Sequence, residues 1–168
     1  MVYLGAVILF IAGIIQTVVL PQLVPISARP HLVVLLVVAV CLAESLYDAV
    51  IWGFMGGIML DLMGGAVLPI GSNALLLVLI ALLASLGQAN PFHSLLFVPL
   101  ITVFAATFFY HVMVMALAAA LGNQVAFVDN VLRVALPSAA LNAALMPVAY
   151  TSLLWLSEKI GRRVRVEW

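Results

Sequence analysis

The sequence predicts an all-α fold, a polytopic integral membrane bundle of about six transmembrane helices in a single domain spanning residues 1–168. Three observations carry that expectation. Of 168 residues, 67% are hydrophobic and 7% charged, with a mean hydropathy of +1.35, whereas a soluble domain carries about 25% charged residues to cover its outside. The apolar residues fall into six runs bounded by proline, glycine or charge, and roughly 20 apolar residues cross the hydrocarbon core once. No polar stretch is then left for a large soluble catalytic domain, a nucleic-acid-binding domain or an extended basic tail.

The first run, residues 2–20, lacks the positively charged start and small-residue cleavage site of a secretory signal and reads as a retained span. Pro21 and Pro25 close it. Arg29-Pro30 opens the second run, 31–46, and Ser45 to Asp48 leaves room only for a tight turn before the third, 49–63. That third run holds Gly53, Gly56, Gly57 and Asp61. It is short for a bilayer of about 30 Å, which predicts tilt, a break or partial re-entry. GGAVLPIGSN, residues 64–73, reads as a loop with Ser72 or Asn73 capping the fourth span, 74–86. After Asn90-Pro91, Pro99 divides an overlong run into a short interfacial segment and a fifth span, 99–121, which stops at Gly122-Asn123. Between Gln124 and Leu136 the spacing predicts a surface-lying amphipathic turn or two, with Asp129 and Arg133 four apart and able to pair. The sixth span, 137–156, carries Pro147 as an expected kink, and 157–168 is a basic tail.

Net charge is zero, but its placement is uneven: Lys159, Arg162, Arg163 and Arg165 crowd the C-terminal end, against Arg29 and Arg133 elsewhere. With six spans both ends share a side, so the positive-inside rule places both termini in the cytoplasm. The tail serves as an anchor there, or as a docking point for a cytoplasmic protein or anionic lipid. Cys41 is the only cysteine, so neither a disulfide nor a thiolate metal site forms within one chain. The three histidines show no metal-ligand spacing, and neither a nucleophile elbow nor a phosphate-cradling loop followed by lysine occurs. No catalytic residue, metal or cofactor is expected.

GFMGGIMLDLMGG, residues 53–65, holds the most information. On a helix Gly53, Gly57 and Asp61 share one stripe, with Gly64 close to it. Two readings stay open. Small residues permit a partner's helix to approach, with Asp61 as a polar anchor at the end of a groove; or the glycines pack the third span against its own neighbours while Asp61 caps the following loop.

Three segments in order, RPHLVVLLVVAV, GFMGGIMLDLMGG and LPIGSNALLL, give a chain that resembles the MreD family of bacterial rod shape-determining membrane proteins from Arg29 to about Ile80. The likeness rests on a basic-proline start to an apolar span, a small-residue span ending in Leu-Asp-Leu, and a glycine-rich loop with a Gly-x-Asn element. It departs in carrying Glu44 and Asp48 where the family pattern has a glycine.

The resemblance implies a non-enzymatic scaffold of the cell-elongation complex in the bacterial cytoplasmic membrane. Its partners would be the bitopic protein MreC, the actin-like MreB, and RodA with its penicillin-binding transpeptidase, besides membrane lipid. Partner contact would use Gly53, Gly57, Asp61 and Gly64. MreD-like chains are also similar to the S-component fold of energy-coupling-factor transporters, which implies an alternative, a vitamin-binding membrane subunit. Arg29, Pro30, Gly71 and Asn73 would then help line a loop or pocket, although the Ala-x-x-x-Ala element of those subunits is missing from VYLGAVILFIAGIIQ.

Overall fold

The computed structural model describes residues 2–23, 29–64, 68–88 and 97–159, and every regular element among them is helical. Six rods result. The first is α1 (Val2–Ile14), a π-helical turn (Ile15–Val19) and α2 (Leu20–Leu23); then come α3 (Leu32–Ala43), α4 (Leu46–Met63), α5 (Ser72–Gln88) and α6 (Phe97–Ala120). The last rod joins α7 (Phe127–Asn130), a second π-helical turn (Val131–Ala135) and α8 (Leu136–Lys159).

Four rods contain stretches long and apolar enough to cross a membrane: Gly5–Gln22, Leu46–Met63, Phe97–Ala120 and Phe127–Leu156. α3 and α5 are shorter apolar helices. α3 has 12 residues, about 18 Å at 1.5 Å per residue, well short of a 30 Å hydrocarbon core. The expected second span, 31–46, is therefore a short helix, and its position explains why that suffices. Ten of its twelve residues are buried, and it packs against α1, α4, α5, α6 and α8. A helix enclosed on all sides in this way is apolar all round. LVVLLVVAVCLA forms the centre of the bundle, and its Cys41 thiol is within 3.6 Å of the Ala81 carbonyl of α5.

Around this centre α4 lies against α5, α1 and α3, and α6 lies against α8 and α5. On α6 the buried Val103, Ala106, Thr107 and Tyr110 form one stripe at helical spacing. Outward-facing Phe10, Leu75, Leu86, Ile101 and Val148 leave the outer rods apolar on their far side, as lipid requires.

The ends of the helices follow local chemistry. The Ser45 hydroxyl accepts from the Asp48 amide at 3.1 Å and donates to the Asp48 carboxylate at 2.8 Å, so α4 starts at Leu46 and runs unbroken to Met63, without the break its glycines suggest. α6 is described from Phe97, with Pro99 near that end, and the interfacial segment expected before Pro99 lies largely outside the described residues. α6 ends in a Schellman motif: Asn123 N–H donates to the Ala118 carbonyl and Gly122 N–H to Ala119, with Gly122 at φ +87°. The expected separate amphipathic segment before span six is instead the start of the same rod, carried into α8 by the π-helical turn. Asp129 and Arg133 are exposed on it and make no ion pair among the described residues; a pair so exposed to solvent gains little over water. α8 runs through Pro147, and the Thr151 hydroxyl donates to the Pro147 carbonyl at 2.7 Å.

Candidate functional site

At the C-terminal end of α4, Asp61 reaches across to the start of α5. Its Oδ2 accepts from Gly71 N–H at 2.9 Å and Ala74 N–H at 3.4 Å. Its Oδ1 accepts from Asn73 N–H at 3.2 Å and from the Asn73 side-chain amide at 2.9 Å. The first intrahelical bond of α5 runs from Leu75 N–H to the Gly71 carbonyl, so Gly71 occupies the cap position, and it has no side chain to serve the open amides. A carboxylate from the preceding helix serves them and lies at the positive end of the α5 dipole. The cap is thus Asp61, not Ser72 or Asn73. Gly71 is needed because the turn from Pro69 to Ser72, closed by Ser72 N–H on the Pro69 carbonyl at 3.1 Å, places it at φ +97°, where glycine is favoured.

Asn73 passes the connection inward. Its Oδ1 accepts from the Tyr110 hydroxyl of α6 at 2.5 Å. The Tyr110 ring meets His31 edge-on at 4.4 Å between centroids, and His111 lies 5.8 Å from both. His31, at the start of α3, has its N–H on Asn142 Oδ1 at 2.9 Å and its carbonyl on Asn142 Nδ2 at 3.1 Å. Asn142 Nδ2 also reaches the Thr107 hydroxyl at 2.9 Å. From the π-helical turn of the first rod, Gln16 accepts from Val33 N–H at 3.1 Å and meets His31 Nε2 at 3.2 Å. One polar network therefore links α3, α4, α5, α6, α8 and the π-helical turn of the first rod. Asn142 and Thr107 are fully buried, and the Asn142 amide is satisfied by His31 and Thr107 together, as groups out of water must be.

The glycines fix the spacing of α4 and α5. A Cβ on Gly53 would lie 2.9 Å from the Leu77 carbonyl oxygen, and one on Gly57 would run into the Ala74 Cα and amide and lie 2.7 Å from the Asn73 carbonyl carbon. Gly56 turns to the other side, where a Cβ would lie 2.7 Å from Val33. The structure thus sets α5 of the same chain, not a partner's helix, against the Gly53–Gly57 side of α4. Gly64 is exposed at the end of α4 and donates to the Leu60 carbonyl at 2.7 Å.

Of the remaining expected residues, Arg29 is half-buried and its amide donates to the Ser138 hydroxyl at 3.2 Å, with Pro30 between it and His31. Gly71 and Asn73 belong to the network just described. Lys159 lies over the Trp155 ring at 4.0 Å, while Arg162, Arg163 and Arg165 lie outside the described residues. Among those described, no three His, Cys, Asp or Glu side chains gather as metal ligands would. Sequence reasoning missed Gln16, His31, Thr107 and Asn142 as members of one site. Gln16 and Asn142 carried a usable signal, each being an amide inside an apolar run, where polar groups have partners.

No curated protein and no solved structure matches the chain, so the likeness to transporter subunits rests on the sequence reading alone. The family model of rod shape-determining protein MreD matches residues 1–159, a range that holds α1 to α8 and every residue of the polar network. The chain belongs to the MreD family of rod shape-determining membrane proteins.

Proposed function

We propose that the chain is a membrane scaffold of the cell-elongation complex, which holds the membrane span of MreC and supports lateral peptidoglycan synthesis without catalysing a reaction. One observation carries this reading: the polar groups inside the bundle are paired with one another in two hydrogen-bonded sets, Asp61–Asn73–Tyr110 and His31–Asn142–Thr107, which meet where the Tyr110 and His31 rings touch edge-on, and this leaves the lateral helix surface for work. Helix association in lipid depends on close packing at small residues. The Gly53–Gly57 stripe supports the bundle itself, so the partner surface lies elsewhere. The favoured place is a groove of about 430 Å³ between α5 and α6, lined by Gly87, Thr102, Ala105, Ala106 and Phe109 among others. The membrane is the bacterial cytoplasmic membrane, with both termini inside. MreB, RodA and its penicillin-binding transpeptidase belong to the same complex.

Depletion from a rod-shaped host tests the proposal. Cells should round and swell, MreC should co-purify with the chain in mild detergent, and the purified chain alone should turn over no lipid-linked wall precursor. Depleted cells that stay rod-shaped would overturn the reading.

A further inference from the structure

We propose that Arg29 binds the phosphate of an anionic membrane lipid at the end of the bundle where α3 begins and the last rod enters. This stands apart from the scaffold reading and rests on what Arg29 lacks. Its Nε is buried and has no hydrogen-bond partner, the one such side-chain atom found among the described residues. A guanidinium stays charged at any ordinary pH, and a buried charged donor without an acceptor is costly. Protein carboxylates do not supply the acceptor. Asp61, at the same end, is engaged by Gly71, Asn73 and Ala74, Asp129 is exposed on α7, and no ion pair to Arg29 occurs among the described residues.

The backbone around Arg29 is held in place. Its amide donates to the hydroxyl of Ser138, which is fully buried, and both the amide and the carbonyl of His31, two residues on, are held by Asn142. The guanidinium is thereby presented from a fixed strap just before α3 and beside the first turn of α8, and the ends of rods that cross a bilayer are where headgroups sit. A planar guanidinium matches two oxygens of a phosphate, and Arg133, exposed at the same end, adds positive charge that favours an anionic headgroup over a zwitterionic one. Lipid phosphate is the source most abundant at that level, and inorganic phosphate would offer the same oxygens from solution.

The test uses the full chain in detergent micelles, with native mass spectrometry counting bound molecules during titration with phosphatidylglycerol, with diacylglycerol of the same acyl chains, and with inorganic phosphate. The wild type should retain one phosphatidylglycerol that Arg29→Gln binds at least tenfold more weakly, while Arg29→Lys and Arg133→Gln each lose less. Equal retention by Arg29→Gln, equal binding of diacylglycerol, or displacement by inorganic phosphate at comparable concentration would each overturn the lipid assignment. If Arg29→Gln does not fold, the wild type's thermal midpoint decides: phosphatidylglycerol should raise it where diacylglycerol does not, and equal shifts overturn the proposal.

Discussion

Gly57 and Ala74 pack backbone to backbone: the space a Gly57 side chain would occupy is taken by the Cα and amide of Ala74 and, at 2.7 Å, by the carbonyl carbon of Asn73. Because those atoms are main chain at the start of α5, they have no rotamer into which to retreat. A single methyl at Gly57 must push α5 off α4, and α5 carries the amides that Asp61 caps.

Gly57→Ala is therefore expected to lower stability by about 1–3 kcal/mol, the usual range for overpacking a tight contact. Gly13→Ala is the control, since its Cβ would meet only the Met63 sulfur at 3.4 Å, an ordinary contact with a flexible side chain. Thermal unfolding of both variants in one detergent should show a clear drop for the first and little change for the second; equal midpoints would mean that the helices are not in this contact.

Asp61→Asn keeps the shape of the side chain but turns an NH2 group toward amides that need an acceptor. With backbone donors from Gly71, Asn73 and Ala74 converging there, the loss should reach about 1–3 kcal/mol. Amide hydrogen exchange reads it locally: the first turn of α5 should exchange faster in the variant while the middle of α4 does not. Unchanged exchange in that turn would remove Asp61 from its role as cap.

Helix positions were legible in the sequence where a residue acts on its own neighbours, as Gly122 does at the end of α6; the turn from Ser45 to Asp48 was legible too, but not that Ser45 caps α4 so that Leu46 to Asp48 are already helical. The alignment of Gly53, Gly57 and Asp61 was legible for the same reason, as helical spacing sets it. What covers that stripe was not, because a small-residue stripe suits a neighbour within the chain as well as a foreign helix. Nor did hydropathy reveal that α3 is enclosed, since in lipid an apolar side chain is at home on the outside and the inside alike. Asn142 pairs with His31 across 111 positions of sequence, a distance at which no local pattern operates. The continuity of α7 with α8 was hidden because a π-helical turn shifts the apolar spacing as it passes.

Asn142 bonds three groups, the amide and carbonyl of His31 and the hydroxyl of Thr107, and of these the His31 carbonyl also accepts from Leu35 N–H at 3.0 Å. Asn142→Leu should leave the His31 amide without its acceptor, at about 1–3 kcal/mol, and take one of two donors from the His31 carbonyl. Thr107→Val removes one contact and leaves Asn142 bonded to His31, so it should cost less. The order of midpoints, wild type above Thr107→Val above Asn142→Leu, is the measurement; a reversed order would show that the Asn142 bonds to His31 contribute little.

Six rods joined in sequence bring both ends of the chain to one side if every rod crosses, including the short α3 and α5. The rule of positive charge puts that side in the cytoplasm, since Lys159, Arg162, Arg163 and Arg165 accompany the C-terminus. Reporter fusions at the two termini should both report cytoplasm. An external report from either end would mean that α3 or α5 does not cross, which is where the helices are shortest.

The proposed partner surface can be tested separately from the fold, because it uses different residues. Ala105 is exposed on α6 and lines the groove shared with α5, so a larger side chain there fills the groove without entering the bundle. Close helix contact in lipid requires that such a groove stay open. Ala105→Phe should then keep the wild-type thermal midpoint and lose at least tenfold of the MreC that co-purifies, about 1.4 kcal/mol of association. Gly57→Ala should show the opposite order, with stability falling first and co-purification falling only as the folded fraction does. An Ala105→Phe chain that retains MreC in full would move the contact off the α5–α6 groove, and the exposed side of the first rod, with Val7, Phe10, Ile11 and Val18, would be the next surface to probe.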